Sequence, residues 1–449
     1  MENEAVLEKH GLFTAKVPRF TSYPPANRFE PDTGQRHQAE WLGHITEGST
    51  LSLYVHIPFC KRLCYFCACR TQGTQTLKPV EAYVDTLIKE ICVVRAQLAP
   101  DVKMARLHFG GGTPTILSSE LMNRLCEVLF SQFKTKRGFE FSVEIDPTDA
   151  SDAVLETLAA WRLGRASIGI QDFAPKVQTV IGREQSFQQT KTVIEKLRQL
   201  GVGSINFDLV YGLPHQTRES LSSTLDRVLE LQPDRLAIYG YAHVPQMSKR
   251  QVMIQEDDLA DARERWHLAT LARRRMIANG MEAIGIDHFA LPQDSLARAA
   301  RHNKLRRNFQ GYTDDPCRTL IGFGASAISE YPEGYVQNAV STAAYSDRVQ
   351  RGGLAGHRGY AMTPEDKMRA DLIQELMCRG GFNFRKLMSA HPFMVPQISA
   401  IVKNLRHRFK DALSVSKDSL HIRAEAESLS RVIASAAVSE SLASGSLAI

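Results

Sequence analysis

The chain has no apolar run long enough to cross a bilayer. Its first residues, Met1-Glu2-Asn3-Glu4-Ala5, are acidic and no apolar stretch follows them, so no secretory signal is expected. It also lacks strong charge: a formal net charge of +6 over 449 residues is mild. Such a balance suits an anionic small molecule but gives no argument for nucleic acid. No tandem repeat is visible, and the eight cysteines lack the two separated pairs of a structural zinc site. These absences predict a cytoplasmic protein with no membrane span and no nucleic-acid partner, its thiols kept reduced. Nothing asks for an obligate dimer, so a monomer is expected. The length allows one large α/β domain and a smaller one.

What is present is a knot of thiols. Cys60, Cys64, Cys67 and Cys69 fall within ten residues, directly after the strand-like run Leu51–Ile57. Cys92, Cys126, Cys317 and Cys378 are scattered singly. The first three follow CxxxCxxC. Three thiolates can hold three irons of a [4Fe–4S] cube and leave the fourth iron open to a ligand. A zinc knuckle or a set of buried free thiols is the other reading, and spacing alone leaves both open.

Around this knot runs a rhythm of short apolar, β-branched runs and helix-period runs, the pattern of βα units and a parallel sheet. Strands are expected at Leu51–Ile57, Ala105–Phe109, Phe139–Ile145, Ala166–Ile170, Ser204–Val210 and Arg235–Tyr241, with a later one at Glu282–Ile286. Helical stripes are read at Val80, Val84, Leu87 and Ile91; at Leu121, Leu125, Val128 and Leu129; and at Val193, Leu197 and Leu200. Gly164, Gly201 and Gly280 are placed to end helices in the left-handed region, where a β-carbon is penalised. Six βα units are two short of a closed barrel, so the expected fold is α/β, an open parallel barrel of (βα)6 type.

The expected division is an arm over residues 1–48, the barrel over 49–290, an extension over 291–360, and a mostly helical unit over 361–449 whose last twenty-five residues fray. The arm string Arg19-Phe20-Thr21-Ser22-Tyr23-Pro24-Pro25 reads as a surface strap. In parallel sheets chemistry gathers at the carboxyl ends of the strands. There the sequence delivers the cysteines, then Gly110-Gly111-Gly112-Thr113, Glu144 with Asp146, Gln171 with Asp172, Asp208, and Tyr241-Ala242-His243. Arg183 reads from spacing as a solvated charge on a helix, Arg306-Arg307 as an exposed pair, and His288 as a hydrogen-bonded core histidine. The small-residue run Gly322–Ser329 suits either a flat ligand against backbone or close packing of two segments.

With these strings assembled, the chain resembles the radical S-adenosylmethionine superfamily, on CxxxCxxC after a first strand and Gly-Gly-Gly-Thr-Pro after the second. Within it, it resembles the family of oxygen-independent coproporphyrinogen III oxidases. The matching strings are FTSYPPANRF, YVHIPFCKRLCYFCAC, HFGGGTPT, EIDP, GIQDF, GREQ, DLVYGLPHQT, YAHVP, GIDHFA, RNFQGYT and GFGASAIS. The arm and Cys69 favour the oxidase over the related haem-chaperone branch or another radical enzyme acting on a tetrapyrrole.

The resemblance implies that Cys60, Cys64 and Cys67 ligate a [4Fe–4S] cluster whose open iron binds S-adenosylmethionine, with Cys69 a further catalytic thiol. It implies cofactor contacts from Tyr54, Phe66, Gly111, Gly112, Thr113, Glu144, Gln171, Arg183, Asp208, Ala242, Phe309, Gln310 and Ile328, enough for two S-adenosylmethionine molecules. It places the arm over the active site. The implied reaction turns two propionates of coproporphyrinogen III into vinyl groups, giving protoporphyrinogen IX, by way of a 5′-deoxyadenosyl radical that takes a hydrogen from the propionate β-carbon. A flavodoxin- or ferredoxin-like electron donor and an electron acceptor are implied partners. Ala68, where the family pattern has glycine, Arg70 beside it, and Val438-Ser439-Glu440-Ser441-Leu442 in place of an aromatic ending depart from the family.

Overall fold

A computed structural model describes residues 2–20 and 23–438 and the backbone of 446–447. Thr21 and Ser22 of the arm string, and the tail string after Val438, lie outside the described residues. The six expected strands form β1 Thr50–Ile57, β2 Lys103–Gly111, β3 Lys134–Ile145, β4 Leu163–Gln171, β5 Ser204–Tyr211 and β6 Arg235–Gly240. They lie side by side in chain order, every neighbouring pair parallel. This is the open parallel barrel expected from the hydrophobic rhythm.

Local chemistry explains the helices between them. Those at Ser119–Gln132, Asp152–Ala160, Phe187–Gln199 and Arg218–Glu230 each start behind a hydroxyl residue, Ser118, Ser151, Ser186 or Thr217. Each hydroxyl accepts a first-turn amide that would otherwise lack a partner. The stripe Val80, Val84, Leu87 and Ile91 on helix Lys78–Arg95 is fully buried against the sheet. Leu121, Leu125 and Leu129, and Val193 and Leu197, are buried in the same core, with Val128 and Leu200 half-buried at its margin.

Gly201 and Gly280 take the left-handed conformation at φ +82° and +81°. Gly164 does not: it is the second residue of β4, and Arg162 turns the chain instead at φ +64°. The late strand is shorter than expected, Glu282–Ile284, and folds back at Gly285 to pair antiparallel with His288–Ala290. That second strand, not the first, lies against β6.

Beyond β1 the sheet continues with the parallel strand Leu320–Phe323 and then the antiparallel strands Ile328–Tyr331, Gly334–Asn338 and Gly356–Ala361. The small-residue run serves close packing here. A β-carbon on Gly324 would sit 2.4 Å from the Tyr83 hydroxyl, and one on Gly322 would sit 2.7 Å from the Ile328 carbonyl.

Beneath this run Glu90 is fully buried. It accepts hydrogen bonds from the Gly324 amide, the Tyr345 hydroxyl and the Asn338 side chain, each at 2.7 Å. Burial pushes its carboxyl up to about 7, against the pull of those three donors. The folded chain therefore holds this proton where the unfolded chain has released it. Stability from this group is complete below about pH 4.5 and is lost as pH rises through about 7. The free energy of unfolding, read from denaturant curves, should accordingly fall between pH 5 and 8 by about 3 kcal/mol at most relative to Glu90→Gln, whose side chain does not titrate. Parallel pH profiles of the two proteins would refute the assignment.

The ends of the chain correct two expectations. The segments Ala424–Leu429 and Ser430–Ala436 are helical, and Leu429, Val432, Ile433 and Ala434 are buried. Their alanines do not leave the segment loose, because small side chains let it lie close against helix Pro364–Arg379. The first forty-eight residues are not one strap. Helix Glu4–Lys9 joins the C-terminal core through Leu7, whereas helix Gly34–Gly43 puts Trp41 and Leu42 into the barrel's core. Between them, Lys16–Val17 pairs antiparallel with Ser446–Leu447. The C-terminal unit also carries a three-stranded antiparallel sheet, Gly381–Asn383, Ser419–Ile422 and Leu413–Val415.

Candidate active site

The carboxyl ends of β1–β6 open into a cavity of about 630 Å3. The cysteine loop crosses its mouth, and its fold is imposed by polar anchors from elsewhere. The Tyr65 amide donates to the Ile181 carbonyl at 2.9 Å, and the Arg62 guanidinium to the Glu184 carbonyl at 2.8 Å. From the loop after β6, Ser248 donates to the Cys67 carbonyl at 2.8 Å and Gln251 to the Phe66 carbonyl at 2.8 Å. Arg250 donates to the Thr71 carbonyl at 2.6 Å. A loop without regular structure is thus fixed on both sides by main-chain acceptors.

Each of the three spaced thiols faces a different donor. The Thr113 hydroxyl lies 3.6 Å from Cys60 Sγ, Arg183 Nη1 lies 3.6 Å from Cys64 Sγ, and the Cys69 amide lies 3.4 Å from Cys67 Sγ. A hydrogen bond between the Cys67 and Cys69 side chains favours the thiolate at Cys67 and the thiol at Cys69. Burial pushes the Cys60 thiol up to about 11.

Among the described residues no three His, Cys, Asp or Glu side chains converge to hold a single ion. A cube does not ask for that, since its three protein ligands bind three different irons. The donor set fits such a group: three thiols on one cavity, donors aimed at each sulfur, and a bare backbone turn beside them. That turn is Gly110-Gly111-Gly112 after β2. Gly111 sits at φ +120°, and a β-carbon there would lie 2.8 Å from the His56 ring. On Gly112 a β-carbon would lie 2.9 Å from Cys60 Sγ. Only glycine lets this turn and the first cysteine share the space.

Glu144, at the end of β3, accepts the Gly111 amide at 3.0 Å and faces His108 at 3.4 Å. Burial pushes its carboxyl up, but His108, the Gly111 amide and His56 outweigh burial and hold it below the usual range. Two residues on, Asp146 pairs with Arg183 at 3.0 Å, and Arg183 also donates to the Gly169 carbonyl at 2.8 Å. Arg183 is therefore not a solvated helical charge. It is buried in the turn between helices Pro175–Val180 and Phe187–Gln199, and its buried Nε has no hydrogen-bond partner among the described residues. Asp208 on β5 accepts from Ser167 at 2.8 Å and Asn206 at 3.1 Å, and burial lifts it to about 6.

The cavity brings together Cys60, Cys64, Cys67, Cys69, Phe66, Gly111, Gly112, Thr113, Glu144, Gln171, Arg183, Asp208, Ala242 and Gln310. Three expected positions do not line it. Tyr54 lies behind it, stacked on His108 and bonded to His56 at 2.9 Å. Phe309 packs between Phe29 and Tyr335 and faces a neighbouring cavity. Ile328 belongs to the antiparallel extension. Asp172 turns away from the rim to bond Gln216 and Thr224, and is fully buried. His288 is held by Asp287 at 2.6 Å, as a core histidine should be. Arg307 overturns its reading as exposed: its side chain is 5 % accessible. Sequence reading missed the cationic floor of Arg106, Arg165 and Arg235, which are bound to Glu140, Glu140 and Asp294 at the other end of the strands. Their alternation along β2, β4 and β6 was the available signal.

Comparison with known proteins follows the same outline. The family model of the Radical SAM superfamily matches residues 54–228. The oxygen-independent coproporphyrinogen III oxidase of Cereibacter sphaeroides is 50% identical over 97% of this chain and 96% of its own length. That of Paracoccus denitrificans is 46% identical over 97% and 96%. The solved structure of coproporphyrinogen III oxidase from Escherichia coli, a radical SAM enzyme, superposes with a TM-score of 0.91 at 34% identity, covering 97% of this chain and 98% of that one.

Proposed function

The chain belongs to the radical SAM superfamily and, within it, to the oxygen-independent coproporphyrinogen III oxidase family, and from that premise we propose that it oxidatively decarboxylates two propionates of coproporphyrinogen III to vinyl groups. The product is protoporphyrinogen IX. The observation that carries this reading is the convergence of Cys60, Cys64 and Cys67 with the Gly111–Thr113 turn on one barrel-end cavity. A [4Fe–4S] cluster with one open iron, together with S-adenosylmethionine, supplies one-electron reduction of a sulfonium and so a carbon radical able to remove a hydrogen atom.

The chain's own residues bind, orient and exclude water. Cys60, Cys64 and Cys67 hold the cluster, each sulfur with a donor beside it that stabilises negative charge there. Glu144, ionised and held by the Gly111 amide, accepts hydroxyls of the cofactor's ribose. Arg183, fixed by Asp146, meets the cofactor's carboxylate. Gln171 and Asp208 complete the wall; Thr113 braces the loop at Phe59 and Cys60, Tyr54 reaches it only through His56 and the Arg70 carbonyl, and Phe66 is held within it by Gln251. Ala242, Phe309, Gln310 and Ile328 belong to the reading of a second S-adenosylmethionine. Support for it is that Ala242 and Gln310 line the main cavity and Phe309 the adjoining one.

No helix among the described residues is long and apolar enough to cross a membrane. We place the chain in the cytoplasm as a monomer that draws electrons from a flavodoxin- or ferredoxin-like donor.

Anaerobic incubation of the reconstituted protein with coproporphyrinogen III, S-adenosylmethionine and a reductant should yield carbon dioxide and a vinyl product by mass. Formation of 5′-deoxyadenosine with neither would end the oxidase reading. Tight haem binding with no product would favour a haem chaperone. Cys69→Ala should retain the iron content of the unaltered protein, since that thiol donates to Cys67 rather than standing among the ligands. Iron lost from the variant would make Cys69 a ligand.

A further inference from the structure

Three side chains stand in one row across the first strands of the barrel. The register pairs Tyr54 of β1 with His108 of β2, and His108 with Ser142 of β3. Residues paired in this way share a face of the sheet, and Glu144, two positions beyond Ser142, shares it too.

The His108 ring is fixed on two sides. Its Nδ1 lies 2.7 Å from the Ser142 hydroxyl. Its face stacks on Tyr54, with ring centroids 5.8 Å apart and planes 16° from parallel. Tyr54 is tied in turn to His56 at 2.9 Å, and His56 to the Arg70 carbonyl at 3.3 Å. The remaining nitrogen, Nε2, faces Glu144 Oε1 at 3.4 Å. An ionised carboxylate cannot donate, so Nε2 carries the proton, and Nδ1 of the neutral ring accepts from Ser142. The firmer contacts lie behind the ring, which makes the ring the fixed member and Glu144 the guided one.

Glu144 is laid across the neighbouring strand. A β-carbon on Gly110 would lie 2.8 Å from Oε1, so bare backbone is needed there for the carboxylate to cross β2. Its Oε2 accepts the Gly111 amide at 3.0 Å. Against burial, which raises this carboxyl, His108 is the largest influence holding it down. A carboxylate offers about four lone-pair positions, two on each oxygen. Among the described residues, His108 takes one on Oε1 and Gly111 one on Oε2. The side chain is 43% accessible and lines the cavity. One acceptor position left on each of two adjacent oxygens matches the two neighbouring hydroxyls of a ribose.

We propose that His108 is a positioning residue for the cofactor's ribose: anchored by Ser142 and Tyr54, it fixes one oxygen of Glu144 as the Gly111 amide fixes the other, so that the carboxylate receives both hydroxyls at once. The inference rests on the reading of Glu144 as the ribose receiver given above. It adds a residue that acts through Glu144.

The test uses reduced, reconstituted holoenzyme with two probes, S-adenosylhomocysteine and its 2′,3′-dideoxyribose analogue, neither of which carries a sulfonium to cleave. Binding is followed by the change in the reduced cluster's electron paramagnetic resonance signal, which reports the ligand at the open iron. Wild type should bind the diol at least about tenfold more tightly. His108→Phe keeps a ring on Tyr54 but has no nitrogen for Glu144. It should lose most of that preference while binding the dideoxy probe as wild type does. His108→Gln, whose amide can accept from Ser142 and donate to Glu144, should recover part of it. Should His108→Phe lose its iron, Ser142→Ala decides: its preference should fall about threefold, and an unchanged one overturns the inference.

A His108→Phe protein that weakens both probes alike has only a packing defect, and that result overturns the positioning role. So does a preference kept in full, which spares the ribose reading of Glu144. Wild type that binds the two probes equally overturns both, and leaves the oxidase to be judged by its product.

Discussion

Cys64→Ala yields a chain that folds but lacks the visible absorbance of an iron–sulfur cluster and turns over more slowly by on the order of a thousandfold or more. The fold should survive because Cys64 is held in place rather than holding others. Its loop is anchored through the Tyr65 amide, Arg62, the Phe66 and Cys67 carbonyls and Thr71. None of those bonds passes through the Cys64 side chain. The cluster should not survive, because a cube held by three thiols has none to spare, and a second cysteine is not within the loop's reach except Cys69, already engaged with Cys67. Iron and sulfide content with the absorption spectrum checks this. A variant with full iron content would show that another side chain takes the third corner.

Arg183→Ala should raise the S-adenosylmethionine requirement at least about tenfold while keeping iron at the level of the unaltered protein. The guanidinium is tied to Asp146 and the Gly169 carbonyl, and its remaining buried Nε has no hydrogen-bond partner among the described residues. Removing one member of such a buried pair costs about 2–5 kcal/mol, much of it from the carboxylate left behind. Part of that cost appears as lower stability from an unpaired Asp146. Asp146→Asn combined with Arg183→Ala should recover that stability but not the cofactor affinity. An Arg183→Ala protein whose dependence on S-adenosylmethionine is unchanged would show that the arginine only props Asp146.

The barrel was legible because its signals are local. Hydrophobic runs, hydroxyl caps and the turn Gly110-Gly111-Gly112 each act within a few residues. The same holds for the three-thiol spacing and for Glu144, near the end of β3, with Asp146 just past that end, whose two-residue separation turns both to one side. Arg183 and Arg307 were misread for a common reason. A charge in a polar stretch looks solvated, and what buries it arrives from far along the chain: Asp146 in one case, the main chain of residues 19–20 in the other. The alanine-rich stretch before Val438 was misread because small side chains look poor in packing area. Against another helix they permit close approach, and the apolar positions Leu429, Val432 and Ile433 do the rest. Gly164 shows the reverse error, a residue type taken for a conformation that Arg162 adopts instead.

Helix Glu4–Lys9 meets partners at two later points, Glu4 and Glu8 with Arg263 and Lys9 with Asp411, the last 402 positions on. At ordinary rates of translation, roughly 5–20 residues per second, the leading segment waits on the order of 20–80 s outside the ribosome before that mate emerges. The cysteine loop is released early in this interval. The thiols are therefore made well before the residue that seats Lys9, so full docking of the leading helix comes after the cysteine loop is made.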